Sequence, residues 1–302
     1  ENSLTSVTLS VSYGTLQATA GAGVTLSGAG TSTLTLTGSS VAQVNAVLAS
    51  LQYTANTLFS GTDRLVVNTL DSGGLRDLDA VTITVNADDR PLTVTGSTVN
   101  EASPYLMFTV AGVSGQYVKL SAASATATLG LDALQNLEYY DGTAWQAYTA
   151  GSYIALPQAS TSVRLPVLQD KINEGSETLT LSAYNQAATV HNGTGTIKDD
   201  GTATDGDDAN ETVDNDTPVL SINDATVEEG SKAVFTVSLS NPSTTPVSFS
   251  LALTDGSATG ADYGPGLEVS TDGGLTWVAG SSATIAPSGT WRLTPDRAWM
   301  AP

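Results

Sequence analysis

Ser6-Val7-Thr8-Leu9-Ser10-Val11 carries an apolar residue at every second position, with small hydroxyl side chains between. Successive side chains of an extended strand point to opposite faces, so one face of this segment is built for burial and the other for water. The same alternation returns along the chain. It appears at Leu34 and Leu36, at Val81, Ile83 and Val85, and at Phe108 and Val110. It recurs at Leu179 and Leu181, and at Phe235, Val237 and Leu239. Turn formers separate these runs. Short alternating strands in this number predict an all-β chain of tandem Ig-like/Greek-key β-sandwiches. One stretch departs from the pattern: Val41, Val44, Val47/Leu48 and Leu51 follow helical spacing, and Gly38-Ser39-Ser40 ahead of them offers an N-cap. A single short helix, packed on the first sheet, is expected there.

The 302 residues are too many for one ordinary sandwich and suit two or three domains. Apolar residues make up 40%, enough for real cores. Thirty acids against ten bases leave a formal charge of −20, and 21 of the acids are aspartate. With four lysines and six arginines scattered along the chain, no basic cluster forms, which argues against nucleic acid or an anionic lipid surface as partner. No run of about 18 apolar residues exists, so no membrane span is expected in this segment. The absence of cysteine excludes disulfides, thiolate metal sites and cysteine nucleophiles. The single histidine, His191, lies in Val190-His191-Asn192-Gly193-Thr194, which reads as a turn and makes a poor start for a catalytic triad. The chain opens at Glu1 without a signal peptide and reads as a piece of something longer; its acidic, Ser/Thr/Gly-rich, Lys-poor composition suits an exported bacterial protein.

Two acidic segments interrupt the alternation. Ala87-Asp88-Asp89-Arg90-Pro91 is short, whereas Asp199 to Asp216 carries eight acids and no base. Like charges at this density hold a segment extended unless a cation neutralises them. The chain therefore divides into domains over 1–88 and 89–200, an acidic linker over 201–216, and a last domain over 217–302. The last two domains are copies. Asp89-Arg90-Pro91 matches Asp216-Thr217-Pro218, and Thr98-Val99-Asn100-Glu101 matches Thr226-Val227-Glu228-Glu229. Phe108-Thr109-Val110 matches Phe235-Thr236-Val237, Asp132 matches Asp262, Trp145 matches Trp277, and Arg164-Leu165 matches Arg292-Leu293. The offset stays between 127 and 132 throughout. After Arg164-Leu165 the second domain continues through Asp170, Asn173-Glu174-Gly175-Ser176-Glu177 and two further strands. After Arg292-Leu293 only Thr294–Pro302 follow, so the last domain is expected to be short of about two strands, frayed alone or completed by another chain.

Leu220-Ser221-Ile222-Asn223-Asp224-Ala225-Thr226-Val227-Glu228-Glu229-Gly230 and Asp255-Gly256-Ser257-Ala258-Thr259-Gly260-Ala261-Asp262-Tyr263 resemble the Calx-beta family. The second domain is similar to that family in its ending, from Asp170 through Glu174 to Gly195-Thr196-Ile197-Lys198-Asp199-Asp200. Residues 1–88 resemble bacterial cadherin-like repeats, through Tyr13-Gly14-Thr15-Leu16, Phe59-Ser60-Gly61-Thr62-Asp63 and the helix between them, though the first strand of such a repeat is missing. Such domains alternate in RTX-type bacterial surface adhesins, although the RTX nonapeptide is absent here.

The Calx-beta resemblance implies calcium, held by Glu101, Asp132, Asp170, Glu174, Asp199 and Asp200 at strand ends. Calcium takes six to eight oxygens, and a sandwich gathers its loops at its two ends. The same acids also suit solvated turns without any metal. Asp88 and Asp89 are further candidates, bridging the first two domains as acids do in cadherin-like linkers. A half-site in the last domain would draw on Glu228, Glu229, Asp255 and Asp262. Asp205, Asp207 and Asp208 have only a trace of EF-hand spacing and read as solvated linker. Trp145 and Trp277 follow Asp-Gly turns and read as core packers, with a sugar platform as the alternative. The function implied is a non-catalytic, calcium-stiffened extender of a large secreted cell-surface adhesin, serving adhesion or biofilm formation. Its partners would be neighbouring domains of the same chain, and a host or biofilm surface reached through other domains. The alternatives are a sugar- or peptide-binding module, or a split domain flanking one, within such an adhesin. An enzyme is not expected, since no nucleophile–base pair or phosphate loop stands out.

Overall fold

The computed structural model describes residues 4–38, 40–202, 214–228, 230–260, 262–264, 266–271, 274–285 and 294–296. They are almost entirely strand and turn, with one α-helix. Among them no helix is long and apolar enough to cross a membrane. They form two compact units. The first runs to Arg90 and includes Gln116–Val118 and Tyr184–Thr189, and the second holds the rest.

The first unit contains β1 (Leu4–Ser10), β2 (Gly14–Gln17), β3 (Val24–Ser27), β4 (Thr33–Gly38), α1 (Val41–Leu48), β5 (Gln52–Ala55), β6 (Gly61–Asp71) and β7 (Arg76–Val85). Its main sheet has the order β3-β4-β1-β6-β7, and β2 pairs with β5 apart from it. The alternation in β1 sets the register: Val7 lies opposite Leu36 and Leu9 opposite Leu34, and all four are buried. Burying each such side chain is worth about 1.5–3 kcal/mol, which is what makes a one-residue slip costly. The Ser40 hydroxyl caps α1 by accepting from the Gln43 N–H at 3.3 Å, and Val44 and Val47 enter the core. Val41, expected on the same stripe, is instead 56% exposed, because it opens the helix where the first turn faces out. A second departure is Val81, which is 55% exposed. It sits on β7, the outer strand of the sheet, whereas the buried core comes from β1 to β4, the residues flanking β2, and α1.

The second unit holds most of a two-sheet sandwich made of β8 (Thr93–Gly96), β9 (Thr98–Asn100), β10 (Tyr105–Ala111), β11 (Tyr117–Ser124), β12 (Glu138–Tyr140), β13 (Trp145–Ala147), β14 (Tyr153–Ala155), β15 (Ser160–Pro166), β16 (Ser176–Tyr184) and β17 (Val190–Lys198). One sheet has the order β13-β12-β15-β10-β8 and the other β14-β11-β16-β17-β9. The chain therefore changes sheets at Ser97: β8 pairs antiparallel with β10, and β9 pairs parallel with β17. Leu106, Phe108 and Val110 from one sheet and Leu179, Leu181 and Ala183 from the other are buried in the core. Gly195 lies where a Cβ would come within 2.7 Å of the Phe108 ring, and Gly96 where one would come within 2.2 Å of the Thr194 carbonyl oxygen. Only glycine permits these approaches. His191, read from sequence as part of a turn, belongs to β17; the Asn-Gly that suggested a turn is instead one side of this close crossing, since Gly193 packs on the Val94 backbone.

The remaining described strands are β18 (Leu220–Ile222), β19 (Val237–Leu239), β20 (Val247–Ser250), β21 (Glu268–Ser270), β22 (Val278–Ala279), β23 (Ser282–Ile285) and β24 (Thr294–Asp296). They pair as β18-β19, β20-β23 and β22-β21-β24. Val237, Val269 and Ile285 are their buried centre.

Trp145 sits half-buried on β13. The Arg164 guanidinium lies 4.0 Å from its ring and 3.8 Å from that of Tyr105, and pairs with Glu138 at 2.7 Å. The two rings thus pack an intramolecular cation rather than an open platform.

Candidate metal centre

Sandwich topology brings acids far apart in sequence to one end of the second sandwich. Glu101 follows β9, Asp132 lies between β11 and β12, and Asp170 and Glu174 fall in the loop from β15 to β16. Glu177 opens β16, and Asp199 and Asp200 follow β17. The chain is described again from Asp214, and its backbone docks back on the same end. Asn100 binds the Asp214 peptide on both sides: its Oδ1 accepts from the Asp214 N–H at 2.9 Å and its Nδ2 donates to the Asp214 carbonyl at 3.0 Å. Nearby, Asn215 forms an antiparallel bridge with Asp200.

Two carboxylate groups result. One oxygen from each of Glu101, Asp199, Asp214 and Asp216 lies within 4.8 Å of the others, and the same holds for Asp132, Glu174 and Glu177. Two full charges at that separation repel by about 3.5 kcal/mol at an effective dielectric near 20. The titration behaviour follows. Burial, reinforced by the charges of Asp199, Asp170 and Asp214, pushes the Glu101 carboxyl up to about 8, although Asp170 donates its backbone N–H to it. Asp199 and Asp216 are raised too, by burial first and then by neighbouring carboxylates. In the second group burial first, and then the charge of Asp132, push the Glu174 and Glu177 carboxyls up.

Some oxygens have no protein partner. Glu101 is 5% exposed and its Oε2 is buried without a hydrogen bond, as is Asp216 Oδ2. Buried polar atoms are ordinarily paired, so such orphans point to a missing ligand. The donor set is carboxylate alone, which suits calcium, magnesium or manganese. Two ligands of one calcium ion lie no more than about 5.2 Å apart, twice the longest ordinary Ca–O distance. The observed separations satisfy that limit. Four carboxylates, mono- or bidentate, supply roughly four to eight oxygens, the number calcium takes. The residues present therefore fit a hard divalent cation.

Several of the remaining sequence candidates have other partners. Asp170 is exposed, and its Oδ1 accepts from the Ile172 N–H at 2.7 Å. Asp200 turns to the Thr202 hydroxyl and N–H, which hold its carboxyl below the usual range. Asp88 pairs with Arg90 through the guanidinium Nε and Nη2, which lowers its carboxyl; Asp89 is exposed. The neighbouring backbone is held without carboxylates, since the Arg90 carbonyl accepts from Gln116 Nε2 at 2.8 Å and Asn185 Nδ2 at 3.2 Å. Farther along the chain Asp255 binds the Tyr263 hydroxyl and Asp262 caps the Thr259 N–H, and Glu228 is exposed. Glu229, Asp205, Asp207 and Asp208 lie outside the described residues.

Three grouped acids were absent from the sequence-based set. Glu177 stands three residues past Glu174 in the same motif, and Asp214 and Asp216 belong to the acidic run read as linker. For Asp214 and Asp216 the signal was the density of acid without base, and for Glu177 its place in Asn173-Glu174-Gly175-Ser176-Glu177.

The class defined by fold and site is an all-β chain of tandem sandwiches, one of which has an acid-lined end that could accept a divalent cation. No protein-family model matches the chain, and no curated protein matches it. Among solved structures it is similar to CBD12 from CALX1.2, at 11% identity and a TM-score of 0.26, over 68% of this chain and 75% of that one. It is also similar to a tetra-tandem repeat in the extending region of a large adhesion protein, at 12% identity and a TM-score of 0.38, over 98% of this chain. PcdhgB3 EC1-4 follows at 9% identity and a TM-score of 0.27, again over 98%. The chain spans 59% of the length of each of these last two. Scores this low leave the functional reading to the chain's own residues.

Proposed function

We propose that this chain is a non-catalytic, calcium-stiffened extender segment of a large secreted bacterial cell-surface adhesin of the RTX type, acting in adhesion or biofilm formation. Its direct partners are then neighbouring domains of the same long chain, and the surface ligand is met by other domains. The observation that carries this reading is the pair of carboxylate groups at one end of the second sandwich, with Glu101 Oε2 buried and unpartnered. The side chains of Glu101, Asp199, Asp214 and Asp216 would hold one ion, and those of Asp132, Glu174 and Glu177 another. Bound calcium would supply positive charge where the fold has concentrated negative charge. Asp170 positions Glu101 through its backbone N–H, and Asp199 positions the Glu174 backbone by accepting its N–H at 2.9 Å. Tandem strand-built modules with acidic ends suit a rod that is loose without cation and stiff with it.

The test is the melting temperature and solution scattering of the whole chain in millimolar calcium against chelator. A ligand that binds only the folded state adds about 1.4 kcal/mol for each tenfold excess over its dissociation constant. The expected result is a higher melting temperature and a longer, less variable particle with calcium. An identical melt and identical scattering in both conditions would refute the proposal.

A further inference from the structure

The first carboxylate group spans more chain than a sandwich end requires. Glu101 and Asp199 belong to the second sandwich, whereas Asp214 and Asp216 lead into the strands that begin at β18. We infer that a divalent cation at Glu101, Asp199, Asp214 and Asp216 is a clasp that fastens the segment leading into the last domain onto the end of the second sandwich. This rests on the cation reading above and adds which residues make the ion a joint rather than a local stabiliser.

The docking of this segment is specified by groups other than the acids. Asn100 is 2% exposed and uses its full hydrogen-bonding capacity. Its Nδ2 donates to the Lys198 and Asp214 carbonyls, and its Oδ1 accepts from the Ala102 and Asp214 N–H groups. The Asp216 N–H donates to Asp199 Oδ1 at 3.2 Å, and Gln169 Nε2 donates to Asp214 Oδ2 at 2.9 Å. On the same face Asn173, the residue before Glu174, donates its N–H to the Pro242 carbonyl and accepts from the Thr244 N–H, each at 2.9 Å. Backbone and amide contacts thus hold four carboxylates together that would otherwise repel. Two of these residues also end in buried oxygens without partners: Glu101 Oε2, on a side chain 95% removed from solvent, and Asp216 Oδ2. A fold that brings in an amide clamp and then leaves anionic oxygens unmatched has left a cation's place. Because two ligands come from each side, the ion's binding free energy is also the docking free energy of the segment, as metal and fold are linked wherever a site spans two elements.

The experiment uses the whole chain, calcium chloride as probe, calorimetric titration, and amide exchange over residues 214–222. In the unmodified chain, calcium is expected to slow exchange there. The double variant Asp214→Asn with Asp216→Asn keeps the size and backbone of both residues. It is expected to lose the protection and to bind one calcium at least about tenfold more weakly, having lost two of four anionic ligands, while the ion at Asp132, Glu174 and Glu177 stays. A second variant, Asn100→Ala, removes the amide clamp and no carboxylate. Its exchange over 214–222 is expected to be fast with chelator and slow again with calcium. If the double variant binds calcium with unchanged affinity and protection, or if calcium fails to slow exchange in Asn100→Ala, the clasp is overturned and the calcium reading stands. If the unmodified chain shows no calcium heat and no protection, both readings fall.

Discussion

Glu101→Gln separates the cost of the carboxylate group from its use. The side chain has a pKa of about 8 in the folded chain against 4.5 for an unperturbed glutamate. A carboxyl whose pKa is raised on folding contributes its full stability below the unfolded value. It loses that contribution as pH rises through the folded one. Between pH 4.5 and pH 7 lie 2.5 units, each worth about 1.36 kcal/mol, so the ionisable side chain costs the cation-free fold up to about 3 kcal/mol at pH 7 relative to a neutral isostere. Glutamine keeps an oxygen to accept from the Asp170 N–H, and it places an amide donor where Oε2 has no partner among three carboxylates. The variant is therefore expected to be more stable than the unmodified chain in chelator at pH 7 by up to about 3 kcal/mol, a gain that shrinks to nothing near pH 4.5. In calcium the order should reverse or close, because the variant has lost an anionic ligand. Several units unfold in this chain, so a single melting curve would mix them. Urea-dependent hydrogen exchange of β10 and β16 peptides isolates the sandwich concerned. A variant less stable than the unmodified chain in chelator at pH 7, or an unmodified chain whose cation-free stability is flat from pH 5 to pH 8, would refute the reasoning.

The first unit should respond to acid in the opposite sense. Burial alone would raise the Asp63 carboxyl. The Ser12, Tyr13 and Arg64 N–H groups and the Tyr53 hydroxyl, all at 2.7–3.0 Å, outweigh it and hold the carboxyl below its usual range. Its stabilisation is thus present above the ordinary aspartate value and lost as pH falls through the lower folded one. Amide exchange of β1 and β6 should accelerate there. Asp63→Ala, which strands those donors, should destabilise this unit by about 3–5 kcal/mol and leave β16 exchange unchanged. Gly96→Ala drives a Cβ into the Thr194 backbone, which cannot rotate away, and should cost about 1–3 kcal/mol in urea unfolding of the second sandwich. Asp88→Asn should leave calcium affinity and stoichiometry in calorimetric titration unchanged, because Arg90 already neutralises that carboxylate.

Local pattern made the architecture legible. The alternation in Ser6–Val11 and in the strands around Phe108 and Leu179 needs only neighbouring residues to declare which side faces a core, and Ser40 with Val44 and Val47 declares the one helix the same way. These features are read from a few consecutive positions because strand and helix periods are local geometry. Where the pattern was local but the covering layer was not, as at Val81 on the outer strand β7, the reading stopped short. The acids behave differently. Asp170, Asp200 and Asp88 stand in the motifs that suggested them, yet Ile172, Thr202 and Arg90, each two residues away, take up their oxygens. Glu101 and Asp216 are separated by more than a hundred residues and meet because β9 lies parallel to β17 and Asn100 draws Asp214 back. The chain alone therefore determined the all-β fold and the excess of acid. Only the tertiary structure decided which carboxylates converge, because a charge's partners are set by distance in space and by which local donors reach it first.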